Sequence, residues 1–221
     1  MANAANGTLG ELVRRRLKEI KRSSEDLAEA VELPTEYIDE LIDGSRRPPL
    51  PGRTDIYPKM TSFLRLGRND VITRALAERG AQTPGTATPA APVRELLMAM
   101  CQPVTAKKLE QRRARKGSAE LAGLLQRLLD VAQGSVRRLL DDPITLRLGA
   151  AERGSTYQAM RLEVLDFLDT SAGSLTAAHL TQFLRPRVES WDVDLETNVL
   201  RVKLRTHSPR DRRPRPAQVE E

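Results

Sequence analysis

The sequence predicts a mainly helical protein, with two helical domains joined by a Pro/Ala-rich linker and a C-terminal β-hairpin. Three observations predict it. Apolar residues recur at helical spacing on both sides of one Pro/Gly-rich interruption. Aromatics make up 3% of the chain against 39% for all hydrophobics, so the cores are built from Leu, Val and Ala. Only near the C-terminus does the apolar period change from helical spacing to strict alternation.

Leu9, Leu12, Val13, Leu17 and Ile20 mark the first helix, and Leu27, Ala28 and Val31 the second, with Ser23 and Ser24 as N-caps before it. Leu33-Pro34-Thr35 is a turn that starts a third helix, whose stripe is Ile38, Leu41 and Ile42 and whose stop is Gly44. Ile56, Met60, Phe63 and Leu64 give a fourth, and Val71 to Leu76 a fifth. These helices form a first domain over residues 1–79, and GAQTPGTATPAAP, within residues 80–92, reads as an extended linker.

A second helical domain is expected over residues 93–187. Val93 to Met100 is a short apolar helix ended by Pro103, and residues 105–116 form a basic one. Leu121 to Leu129 and Val136 to Leu140 supply two apolar faces, with Pro143 as the terminator. Tyr157 to Leu168 and Leu175 to Leu184 follow. In residues 188–207, Trp191, Val193 and Leu195 alternate with acids and Leu200, Val202 and Leu204 with bases. A two-residue Thr197-Asn198 turn would set Leu195 opposite Leu200 and Asp192 opposite Lys203. Such a hairpin needs a surface to pack on, either the preceding helices or a second copy of the chain. Residues 208–221, rich in Pro and Arg, read as a disordered tail.

The composition disfavours an enzyme. His179 and His207 are the only histidines and have no partner nearby in sequence, and Cys101 is the only cysteine, read as a plain buried thiol. There is no glycine-rich phosphate loop, no paired catalytic carboxylates and no HExxH-like spacing. No catalytic residue, metal or cofactor is therefore expected. Neither a membrane-length apolar stretch nor a signal-peptide pattern occurs, so a soluble, cytoplasmic protein is expected.

The net charge of +6 is unevenly spread. Residues 23–45 carry eight acids and no Lys or Arg, whereas residues 105–140 carry a net +6. The first window would repel a polyanion and the second would attract one.

The string SSEDLAEAVELPTEYIDELIDGSRRP resembles the helix-turn-helix of the Xre family, whose fold is that of the lambda repressor. Leu27-Ala28, Val31, Leu33, Tyr37-Ile38, Leu41, Gly44, Arg46 and Pro48 carry the resemblance, and the flanking helices extend it to about residues 8–78. Two positions depart from the family pattern: Glu32 stands where the turn usually has Gly, and Ser24 where Gln is common. The resemblance implies a five-helix DNA-binding domain, yet Glu36, Asp39 and Glu40 would face the nucleic acid, and Asp43 adds a fourth carboxylate to the same helix. Those four carboxylates are instead candidates for contact with a basic protein.

GSAELAGLLQRLLDVAQGSVRRLLDDP is similar to the same motif, and its AQGSVRRLL segment resembles the recognition helix of CUT domains. A second helix-turn-helix is thus expected over residues 118–142. An offset drifting from 94 to 100, which ends by aligning Arg53, Tyr57 and Met60 with Arg153, Tyr157 and Met160, suggests a duplication. Gln133, Ser135, Arg137 and Arg138 are the candidate base-reading residues, and Lys107, Lys108, Arg112, Arg113, Arg115 and Lys116 the candidate phosphate contacts.

Two functions follow. The first is a sequence-specific, double-stranded-DNA-binding transcriptional regulator with the second motif as reader, acting as a homodimer through the C-terminal hairpin. The alternative is a protein-interaction module in which the acidic first motif binds a basic partner or masks the basic second half.

Overall fold

The computed structural model describes residues 7–67, 69–80, 90–116, 119–197 and 199–205. It is mainly helical with one small antiparallel hairpin, as the apolar periods require. Residues 81–89 of the expected linker, residues 206 and 207 and the expected tail over 208–221 lie outside the described residues, while Gly80 ends one helix and Ala91 and Pro92 begin the next, so both ends of the expected 80–92 linker are helical.

Helix α1 (Leu9–Ile20) begins at a capping box in which Thr8 and Glu11 satisfy each other's backbone N–H groups. It buries Leu9, Leu12, Val13 and Leu17. Gly10 is required where α1 crosses the end of the third helix: a Cβ there would stand 2.2 Å from the Ile42 carbonyl oxygen. Helix α2 (Ser24–Val31) has the same device in Ser23 and Asp26, and α3 (Thr35–Asp43) ends at Gly44 with φ 83°. A 3-10 turn at Pro51–Arg53 leads to α4 (Ile56–Leu64), and α5 (Asp70–Gly80) packs against α1 and α4. All five helices begin and end close to where capping residues and apolar spacing place them.

Beyond the linker come α6 (Ala91–Ala99), α7 (Pro103–Lys116) and α8 (Ala119–Arg137). Helix α8 corrects the sequence reading, because no turn interrupts it near residues 131–135. It runs on for 19 residues and tightens into a 3-10 turn at Arg138–Asp141. The second helix-turn-helix expected over residues 118–142 is therefore one helix and its 3-10 end, and with it goes the turn insertion on which the drifting duplication offset rested. Leu124, Leu125, Leu128, Leu129, Ala132 and Val136 keep one unbroken helical stripe through the supposed turn, and all are buried.

Helix α9 (Pro143–Glu152) was not foreseen. Pro143 stops the preceding turn but also occupies the first position of a new helix, and Asp142 caps it by accepting from the Thr145 N–H. Helix α10 (Tyr157–Asp169) follows, then α11 (Ala177–His179), which continues as a π-helical turn at Leu180–Leu184.

Strands β1 (Val188–Val193) and β2 (Leu200–Leu204) pair antiparallel with Val193 opposite Leu200, Trp191 opposite Val202 and Asp192 opposite Arg201. The pairing is displaced by two residues from the sequence-based register, which leaves every apolar side chain on its expected face. The displacement has a local cause. Asp194 Oδ1 accepts from the N–H groups of Glu196 and Thr197, and this Asx turn needs a longer loop than two residues. Lys203 pairs with Glu189, at 2.9 Å, in place of Asp192.

The apolar face of the hairpin is used within the chain. Val188, Trp191 and Val193 are buried, and the Trp191 indole N–H donates to the Leu97 carbonyl at 2.8 Å. Trp191 also exchanges backbone bonds with Met100 and Gln102, which fastens β1 to the α6–α7 junction. Cys101 lies there, and burial pushes its thiol up to about 12, as expected of an inert core cysteine. Buried side chains from before and after the linker belong to one contiguous cluster.

Candidate functional site

Helices α2 and α3 pack against each other across the short turn Glu32–Pro34. Glu32 ends α2 in the left-handed conformation at φ 60°, Leu33 plugs the turn and is buried, and Ile38 and Leu41 seat α3 on the core. A non-glycine residue in that conformation is strained by about 1–2 kcal/mol. The Glu32 carboxylate gains partners that glycine could not offer. It accepts from Lys59 Nζ at 2.6 Å and from the Tyr157 hydroxyl at 3.3 Å, and the Lys59 bond is the main cause holding it below the usual carboxylate range.

The outward face of α3 is acidic. Glu36, Asp39 and Asp43 are exposed, and Asp43 is held low by its bonds from Ser45. Glu40 is half-buried and pairs with Arg46 at 2.6 Å. Arg46 in turn reaches Asp166 at 2.8 Å and lies over the Tyr37 ring. Of the four acids named from sequence, Glu36, Asp39 and Asp43 are exposed on one helix face, Asp43 accepting from the Ser45 N–H at 2.8 Å, and Glu40 is tied to Arg46.

The opposite side of the turn is occupied by α10. Arg161 is 0% exposed; one terminal nitrogen contacts both Asp55 carboxylate oxygens at 2.6 and 2.7 Å, and its Nε donates to the Val31 carbonyl. Arg53 donates to Asp130 and to the Leu168 carbonyl. Asp169 accepts from Arg79 and from the Leu50 N–H. Apart from Arg161 with Asp55, these ion pairs set arginines of the first half against carboxylates of the second. They run opposite to the masking arrangement, in which acids of the first half would meet bases of the second. Periodicity could not reveal this cluster, because its members are single charged residues far apart in sequence.

The base-reading residues are not gathered on one surface. Gln133 is 1% exposed, and its amide donates to the carbonyls of Phe167 at 2.7 Å and Thr170 at 2.8 Å. It holds the end of α10 to α8, so its assignment to adenine contact is withdrawn. Ser135 is half-buried, Arg137 lies 3.6 Å from Asp141, and Arg138 is exposed. Lys107 and Lys108 are exposed on α7, while the side chains of Arg112, Arg113, Arg115 and Lys116 lie outside the described ones.

An open cleft of about 490 Å³ separates α7 from the hairpin, lined by Thr105, Lys108, Asp192, Asp194, Glu196 and Arg201 among others. Thr105 donates its hydroxyl to Asp192 across the cleft floor. The sequence reading did not bring these residues together.

Among the described residues no helix is long and apolar enough to cross a membrane, and no group of His, Cys, Asp and Glu is arranged to hold a metal ion. No family model matches the chain, and no curated protein or solved structure matches it either.

Proposed function

We propose that the chain is a regulator of the helix-turn-helix class that acts through protein contact, with the α2–α3 face docking a basic partner. The observation that carries this reading is the outward face of α3. A recognition helix that enters the major groove must approach a dense line of phosphates. Here the approaching side chains are Glu36, Asp39 and Asp43, all exposed, with Glu40 beside them engaging Arg46. Such a surface repels DNA and attracts lysine- and arginine-rich protein.

A second reading, DNA binding by the second half, is favoured by the exposure of Lys107, Lys108 and Arg138. With Gln133 buried, those residues support phosphate contact rather than base reading.

Selection of fragments from a genomic DNA pool by the full chain at about 0.15 M salt separates the two readings. Enrichment of a short motif would overturn the protein-contact reading and establish a sequence-specific regulator. No enrichment, together with capture of a basic protein that the E36K/D39K variant fails to capture, is the expected result.

A further inference from the structure

The hairpin sets base against acid along its polar face and abandons that pattern at its open end. Arg201 lies opposite Asp192, and Lys203 reaches Glu189 at 2.9 Å. One step beyond the Val188–Leu204 pair, the Arg205 N–H donates to the Arg187 carbonyl at 2.7 Å, which sets arginine opposite arginine. Like charges directly opposite each other destabilise a strand pair.

A third arginine joins these two. Arg187 Nη1 donates to the Phe183 carbonyl at 3.0 Å, and Gln182, one residue earlier, donates to Glu163. The same Glu163 carboxylate lies 3.6 Å from Nη1 of Arg153, the C-cap of α9. Burial and then the charge of Arg153 hold the Arg187 guanidinium below its ordinary value. The end of α9, the turn before β1 and the end of β2 thus bring three cations together. Among the described residues, no carboxylate forms an ion pair with Arg187 or Arg205.

We infer that Arg153, Arg187 and Arg205 form a binding site for a phosphoryl dianion, as inorganic phosphate or a phosphate monoester. A guanidinium donates through a planar fork that matches phosphate oxygens, and three of them from three elements can each address a different terminal oxygen. A bound dianion turns their mutual repulsion into attraction. Arg187 is half-buried while Arg153 and Arg205 are exposed, so the anion meets one recessed cation and two at the rim. A phosphodiester carries one charge and two terminal oxygens, which makes a nucleic-acid backbone the poorer match.

Isothermal titration calorimetry of the full chain with sodium phosphate tests this at about pH 7.5, where phosphate is mostly doubly charged. Sodium chloride at equal ionic strength is the reference. The wild type should bind a single phosphate, and phosphate at about ten times its Kd should raise the melting temperature by about 3–6 °C. Arg187→Gln and Arg205→Gln should each lower the affinity about tenfold. Arg205 is exposed, so its variant reads the site even where Arg187→Gln fails to fold, and it should melt no lower than the wild type without phosphate. Arg201→Gln, on the same strand but opposite Asp192, should bind phosphate as the wild type does. A melting shift that chloride reproduces, or an equal loss of affinity in Arg201→Gln, would overturn the site in favour of general charge screening. A wild type that takes up no phosphate would overturn it outright, and weaker duplex-DNA binding by Arg205→Gln would then assign these arginines to a nucleic-acid backbone.

Discussion

Gln133 shows how one buried side chain changes a functional assignment. Exposed on a recognition helix it could read adenine; buried, its amide closes two carbonyls at the end of α10. Gln133→Ala leaves both carbonyls without that donor and opens a small cavity, so a loss of about 2–4 kcal/mol is expected in denaturant unfolding. A base-reading glutamine would leave stability unchanged and weaken DNA binding instead. His179 supplies a pH signature. It packs edge-on against Phe167 and accepts from the Thr176 N–H, and burial holds its imidazole below the ordinary value despite the opposing pull of Asp166. The folded state then binds fewer protons than the unfolded chain once the pH falls below about 6.5, so stability drops on acidification through that window. Asp166, raised chiefly by burial, acts in the opposite sense at lower pH, where its protonation favours the folded state. Melting temperatures of the wild type and His179→Gln between pH 7 and 5 should therefore converge as the pH falls. A constant gap would remove His179 from the account.

At the scale of elements, the first half was legible because each boundary is written locally. Ser23, Pro34 and Gly44 punctuate three short helices whose apolar spacing leaves one register open. Helix α8 misled because AQGS has the composition of a turn, yet the apolar stripe runs through it from Leu124 to Val136. Periodicity outweighs a lone glycine there, since interior Gly costs a helix only about 1 kcal/mol. The same fact gives a test of the correction. Gly134 is helical and has open space where a Cβ would stand. Gly134→Ala is expected to stabilise the protein by about 0.5–1 kcal/mol in urea titration. Were a turn present there with a left-handed glycine, the substitution would destabilise by a similar amount or more. The hairpin register illustrates a different limit, because alternation fixes the face of each side chain but not the loop length. The Asx turn at Asp194 chose the length.

The whole molecule is where sequence reasoning stopped. A Pro/Ala-rich stretch reads as a tether between independent bodies, whereas the described halves share a cluster of buried residues and several Arg–Asp pairs. Those pairs were invisible in the sequence because a charged residue gives no period. Arg161, on α10, is the most consequential. Replacing it with Met removes the cation that faces Asp55, itself largely buried, and breaking such a pair from one side costs roughly 3–5 kcal/mol. Lys59, 3.4 Å from Asp55, remains as partial compensation and sets the expectation at the lower end. The consequence extends beyond stability. If a protease site is placed within residues 81–89 and cut, the two fragments of the otherwise wild-type chain should stay together on gel filtration, held by the interface and not by the peptide link. Arg161→Met should let them separate, and more readily at high salt, where the half-exposed pairs of Arg46 and Arg53 are screened while the buried core contacts are not. Separation of the wild-type fragments at low salt would mean that the linker alone keeps the halves together.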